Sequence, residues 1–366
     1  MEGLYIHIPF CSGKCGYCSF VSFAVTPPER ARYLSALEKE MAFFSGRNPE
    51  TLYVGGGTPS ELEPEQIKKL LLSVGRHFRP VGDFRESTFE VNPESISREK
   101  IMLLRQFGVN RISMGLQASQ DSLLKTLGRR HDYAQFCRAY EDLRNVGFSN
   151  INVDIIASIP GQTEQDFEDT LSEILSLSPE HVSVYALEIE HGTAFERRGV
   201  DNRPDFARPL LESARARLRE AGYNHYEISN FAKPGCECLH NLNYWDNGEY
   251  LGLGCSAASH LGGIRKTNGP VLELYCDFLE DREGQDSFSC VEKLEGKEKL
   301  GESVMLGLRK LSGMALSSEL LAAFGPDFKV LQEQGLLVVE NNTARLAEKA
   351  IYVSNSVFRH FVPPFD

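Results

Sequence analysis

The chain has 366 residues, a formal charge of −12 and 42% apolar composition. That charge excludes a general polyanion binder, and the apolar fraction supports one large domain with a smaller addition. No apolar run nears the roughly 20 residues needed to span a bilayer, so no stable membrane insertion is expected.

Short apolar runs alternate with amphipathic segments through the first 220 residues. "GLYIHIPF" reads as a strand, and "PERARYLSALEKEMAFF" as a helix with Tyr33, Leu34, Leu37, Met41 and Phe44 on one face. Five more strands follow, "TLYVGG", "STFEVN", "RISMGLQ", "INVDIIAS" and "HVSVYALE", each with a helical segment after it. Gly108, Gly147 and Gly222 are expected as left-handed residues closing helices. Strict alternation with apolar strands predicts a parallel sheet. Six units fall short of a closed eight-unit barrel, so the expected fold is α/β, a partial, open (β/α)6 barrel. A doubly wound sheet is the alternative, but no Gly-rich dinucleotide turn follows the first strand.

Residues 226–291 are rich in Gly, Asn and aromatics and lack a long periodic run. Residues 292–366 read as helices ("EKLGESVMLGLRKL", "SSELLAAFG", "DFKVLQEQG"), a hairpin turning at Asn341–Asn342, and a last helix. The expected division is therefore 1–225, 226–291 and 292–366, the last being a small helical, winged-helix-like domain. It carries nine Lys/Arg against ten Asp/Glu, so no nucleic-acid partner is expected.

Chemistry collects where the strands end. Strand one runs into "CSGKCGYCSF", which sets Cys11, Cys15 and Cys18 at C-x3-C-x2-C; strand two runs into Gly55-Gly56-Gly57-Thr58. Glu90, Gln117 and Asp154 lie near the ends of strands three, four and five, and parallel barrels gather their functional groups on that rim. Zinc sites favour two matching C-x2-C pairs, and no second pair is present. Thiolates also suit iron–sulfur clusters, and three of them on a four-iron cluster leave one iron open. The other six cysteines are scattered. With no signal peptide or lipidation motif, the thiols read as reduced and the chain as cytoplasmic.

C-x3-C-x2-C after the first strand, with GGGTP after the second, resembles the radical SAM superfamily. The resemblance implies a [4Fe-4S] cluster on Cys11, Cys15 and Cys18, with S-adenosylmethionine chelating the open iron. Glycines 55–57 would admit the methionyl ammonium to the backbone, Gln117 and Asp154 would bind ribose hydroxyls, and Arg129 would pair with the cofactor carboxylate. Such a charge-assisted bond is worth about 1.5–3 kcal/mol.

The segments "YIHIPFC", "GGGTPS", "FEVNPE", "GLQ", "DIIASIPGQT", "YEISNFA" and "HNLNYW", in this order, are similar to oxygen-independent coproporphyrinogen dehydrogenases and the HemW-type heme chaperones. Carried over residue by residue, the cofactor positions fall on Tyr5, Tyr17, Gly56, Gly57, Thr58, Glu90, Gln117, Arg129, Asp154 and Ala186. The dehydrogenases place a fourth cysteine where this chain has Phe20, and carry a long N-terminal extension before the first strand. H-N-x-x-Y-W, here His240 to Trp245, belongs with the chaperones. The resemblance thus implies heme as cargo, a heme-accepting protein, and a reductant such as flavodoxin or ferredoxin. His240 is the candidate heme ligand, with Tyr244 and Trp245 as a flat wall. Ala258 stands where related chains often have His, and His260 is two residues on. The rival reading is the porphyrin-biosynthesis enzyme, which oxidatively decarboxylates two propionates; a zinc-stabilised winged-helix regulator is a third class.

Overall fold

The computed structural model describes residues 1–281 and 289–365. Strands β1 (Glu2–Ile8), β2 (Thr51–Gly56), β3 (Glu86–Val91), β4 (Arg111–Gln117), β5 (Ile151–Ala157) and β6 (His181–Ala186) lie side by side in chain order, all parallel. They are joined by α1 (Pro27–Phe43), α2 (Pro64–His77), α3 (Arg98–Phe107), α4 (Asp121–Leu127), α5 (Tyr133–Val146) and α6 (Glu164–Leu177). Helices α7 (Ala194–Arg197) and α8 (Pro204–Glu220) follow β6. An unbroken strand order means that the chain always winds the same way, which excludes the doubly wound alternative and gives the expected partial barrel. Gly108, Gly147 and Gly222 do take φ of 91°, 99° and 87°.

The strands are less uniformly apolar than they read. One face carries Leu4, Ile6, Ile8, Leu52, Val54, Phe89, Val91, Ile112 and Met114, all buried in the main core. Fully burying such a side chain stabilises the fold by about 1.5–3 kcal/mol. The alternate residues are polar and share the other face in register: Tyr53 beside Thr88, Thr88 beside Arg111, Glu90 beside Ser113, Ser113 beside Asn152, Asp154 beside Ser183. Buried polar groups must be hydrogen-bonded to be tolerated. Asn152 donates to Ser113 Oγ and Asp154 Oδ1 (both 2.8 Å) and pairs through Oδ1 with His181 Nδ1 (2.6 Å); Tyr53 donates to Glu90 Oε1 (2.7 Å).

After α8 the chain adds to both ends of this sheet. β7 (Asn224–His225) and β8 (Asn230–Ala232) extend the β6 edge antiparallel. The chain then crosses through α9 (Leu239–Trp245) to β9 (Glu249–Leu253), which pairs parallel with β1. β10 (Ala258–Leu261), β11 (Ile264–Asn268) and β12 (Ser289–Glu292) continue antiparallel, with α10 (Leu272–Asp281) between the last two. Of the stretch 226–291, the described residues thus continue the barrel sheet; residues 282–288 lie outside the described residues.

A second core, including Val304, Leu320, Phe324, Phe328 and Phe361, lies within the C-terminal region. It gathers α11 (Gly296–Gly307), α12 (Ser318–Glu333), α13 (Ser354–Phe358) and a small antiparallel sheet of β13 (Met314–Ala315), β15 (Thr343–Leu346) and β14 (Leu337–Glu340). The hairpin turns at Asn341 and Asn342, both at positive φ. The two short helices expected over 317–335 are the arms of α12, which bends where Phe324 leaves helical geometry (φ −133°, ψ 15°) just before Pro326.

One buried carboxyl ties the added strands to the barrel. Glu40 of α1 accepts hydrogen bonds from Gly254 N (2.7 Å), Asn268 Nδ2 (2.8 Å) and Tyr275 Oη (2.7 Å). Stranding a buried donor costs about 1–3 kcal/mol. Glu40→Ala is therefore expected to lower stability by about 3 kcal/mol or more in urea unfolding. A loss below about 1 kcal/mol would show that these donors find other partners.

Candidate cofactor site

A cavity of about 180 Å³ opens where β1 to β5 end, and Cys11, Cys15 and Cys18 all line it. The loop that carries them is pinned by two short helices that the sequence pattern does not reveal. Gly16 N donates to Leu127 O at the end of α4 (2.8 Å), and Phe195 N of α7 donates to Gly16 O (2.8 Å). A Cβ on Gly16 would lie 2.3 Å from the Phe195 ring, so only glycine lets the loop dock there. Burial raises the Cys11 and Cys18 thiols above their ordinary range, and each thiol is raised further by the neighbouring cysteines, as expected of sulfurs facing one space. Cys11 Sγ also lies 3.3 Å from Thr58 Oγ1.

The structure brings Tyr17, Gly56, Gly57, Thr58, Glu90, Gln117, Arg129 and Asp154 to this same cavity. Arg129 donates to Asn92 Oδ1 (2.7 Å), and its Nη1 lies 3.9 Å from Cys15 Sγ. Asn92 in turn donates to Thr58 Oγ1 (2.9 Å). Asn92 was not among the expected site residues, although it lies inside the "FEVNPE" segment; a neutral amide linking two site groups has no spacing signature. Gln117 sits at φ 72° on a β-bulge, and its Oε1 is buried without a hydrogen-bond partner among the described residues. The Arg129 Nε is likewise buried without one. Orphaned polar atoms around a cavity fit a polar ligand that completes their bonds. Three thiolates, a cation and acceptor groups suit a cluster with a zwitterionic cofactor on it.

The glycines also have a packing role. Gly56 holds φ +112°, and a Cβ there would lie 2.5 Å from the His7 ring; one on Gly57 would lie 2.7 Å from Phe10 O. They let strand two pack against the end of strand one. Gly56→Val would therefore disturb the thiol loop as well as the adjoining cavity.

Three expected residues lie elsewhere. Tyr5 lines neighbouring cavities and donates to or accepts from His7 Nδ1 (2.8 Å). Ala186 faces a separate cavity between β6 and residues 351–355. His240 is 1% exposed on α9, with Nδ1 bonded to Thr51 Oγ1 and Nε2 to Tyr244 Oη, both at 2.9 Å. Burial holds its imidazole down to about pKa 3, aided by Arg111. Thr51 pairs with Gly3 at the start of β1, so His240 sits toward the opposite end of the strands from the cluster loop, not beside the rim. Both ring nitrogens being engaged, His240 presents no free lone pair to a heme iron in this arrangement.

The single polar-faced parallel barrel, the three-thiol loop after its first strand and the glycine turn after its second define a radical SAM protein. Residues 5–174 match the radical SAM superfamily. The chain is 34% identical to the heme chaperone HemW of Bacillus subtilis (strain 168), covering 99% of both chains. It is 36% identical to that of Lactococcus lactis subsp. lactis (strain IL1403), over 98% of this chain and 96% of that one. With HemW of Escherichia coli (strain K12) it is 38% identical over 74% of this chain and 72% of the other. Among solved structures, it resembles the coproporphyrinogen III oxidase HemN from Escherichia coli, a radical SAM enzyme, with a TM-score of 0.85 and 25% identity over 99% of this chain and 90% of that one. The chain belongs to the HemW family of the radical SAM superfamily.

Glu90 gives this site a pH signature. Burial raises its carboxyl from 4.5 to about 7; Asp154 adds to the rise, and the bonds from Tyr53 and Gly56 oppose it. Between those values the folded chain keeps a proton that the unfolded chain has lost, so stability falls as pH rises through this window and levels off above it. Relative to wild type, Glu90→Gln should gain up to about 3 kcal/mol on going from pH 5 to pH 8, measured by urea unfolding of the apoprotein. An unchanged difference across that range would contradict the assignment.

Proposed function

We propose that Cys11, Cys15 and Cys18 hold a [4Fe-4S] cluster, that S-adenosylmethionine fills the adjoining polar cavity, and that heme occupies a neighbouring aromatic cavity before passing to an acceptor protein. When bound, the cluster and cofactor supply one-electron chemistry at the open iron. The chain's own contribution is to position them. Arg129 offers a cation beside Cys15, and Glu90 and Asp154 offer acceptors on the same cavity. Residues 292–366 form the separate C-terminal unit of this proposal, and an external reductant such as flavodoxin or ferredoxin would feed the cluster.

The observation that carries the reading is the placement of Phe20. This side chain is 66% exposed and lines the thiol cavity, a larger cavity of about 510 Å³, and a third of about 210 Å³ that reaches His240. The larger one is walled by Tyr244, Trp245, Tyr250 and Leu306. An exposed aromatic between an aromatic cavity and a cluster loop fits a flat apolar ligand. The likeness to coproporphyrinogen III oxidase supports porphyrin-sized cargo, while Phe20 in the fourth-cysteine position sets this chain apart from that enzyme.

Anaerobically purified protein should hold about four irons per chain, with matching labile sulfide. Changing Cys11, Cys15 or Cys18 to Ala should abolish the visible charge-transfer absorption, whereas the exposed Cys290→Ala should not. Full clusters in all three single variants would reject the site. Hemin should bind with a shifted Soret band, and coproporphyrinogen III should not turn over when cluster, cofactor and reductant are present; turnover would favour the enzyme reading.

A further inference from the structure

The aromatic cavity holds few groups able to ligate iron. His7 is buried, with Nδ1 bonded to Tyr5 and Nε2 to Val21 O. Tyr5 and Tyr244 each share their hydroxyl with a histidine, His7 and His240. Burial keeps both histidines below their ordinary basicity, so neither readily takes a phenolic proton. Tyr250 is placed differently. Its hydroxyl accepts from Arg265 Nη1 (2.8 Å), and Arg265 is itself fixed by Glu302 Oε1 (2.6 Å) and Asn247 Oδ1 (3.0 Å). A guanidinium donates and never accepts a proton, so it favours the phenolate. Burial raises the Tyr250 phenol, and Arg265 opposes that rise. Trp245 lines the same cavity beside Tyr250 and Tyr244.

We propose that Tyr250, oriented by Arg265, is the group that ligates ferric heme iron in this cavity. The proposal rests on the heme-binding reading above. Phenolate oxygen is an established axial donor to haem iron. The exchange is balanced without any oxidant: an iron–oxygen bond forms to the phenolate, and the hydroxide leaving the hemin iron departs as water with the phenolic proton. His240 then acts on the cavity wall by holding Tyr244, whose ring packs edge-on against Tyr250 at 4.5 Å between centroids.

The test is a hemin titration of the full-length wild type, Tyr250→Phe and His240→Ala, read by absorption and resonance Raman. Wild type should show ferric-phenolate bands. Tyr250→Phe should lose them and bind hemin about tenfold more weakly or worse, with unchanged circular dichroism and cluster content, since the ring still packs on Tyr244. His240→Ala should keep the phenolate bands. If Tyr250→Phe gives the wild-type spectrum, or His240→Ala alone removes the iron ligand, the proposal is overturned while heme binding stands. If wild type binds hemin no better than an unrelated protein does, the heme reading itself falls, and this proposal with it.

Discussion

The structure depends on one constraint: in six neighbouring parallel strands, alternate residues are polar and in register. Apolar side chains such as Ile6, Val54, Phe89 and Met114 pack in the main core, so their neighbours Tyr5, Tyr53, Glu90 and Ser113 must face inward. A side chain cannot move to the other face without shifting its strand by one residue. The inner face is therefore committed to polar groups, and each has to find a partner in a space largely closed to water. Network bonds such as Tyr53–Glu90 and Asn152–His181 satisfy the middle of the barrel. At the strand ends Gln117 and Arg129 retain unpaired atoms, which fits the ligand proposed for the adjoining cavity.

The same demand explains α9. Glu86, at the start of β3, is buried and accepts the backbone N–H groups of Leu239 (2.7 Å) and His240 (3.1 Å) at the helix N-terminus. Negative charge there complements the helix dipole. The helix is thereby fixed across the starts of β1 and β2, where His240 packs so close that a Cβ on Gly3 would meet its ring at 2.9 Å. This placement turns Tyr244 and Trp245 toward the cavity beside the cluster loop. The H-N-x-x-Y-W segment thus works as a scaffold whose histidine faces inward and whose aromatics face the cavity.

Much of this was legible in the sequence. The six strands and their long helices follow from periodicity, and the strand-end rule brings the three cysteines, Glu90, Gln117 and Asp154 to one rim. What was hidden has physical reasons. α4 and α7 are too short for a periodic signal, yet they pin the cluster loop. The segment Leu239–Trp245 carries no apolar stripe because its contacts are hydrogen bonds, so α9 looked like loop and His240 looked free. Glu40 looks like a solvated helix residue; its partners Gly254, Asn268 and Tyr275 come from the segments added after residue 249. Sequence separations above 200 residues leave no local trace of such contacts.

The central claim is that the cluster loop and the aromatic cavity are neighbours with Phe20 between them. It is tested most directly by the electron spin relaxation of the reduced cluster in protein saturated with copper protoporphyrin, with diamagnetic zinc protoporphyrin as the control. Adjacent cavities predict faster relaxation and a broadened cluster signal with copper alone. Identical relaxation with the two porphyrins at full occupancy would place the porphyrin far from the cluster and contradict the account.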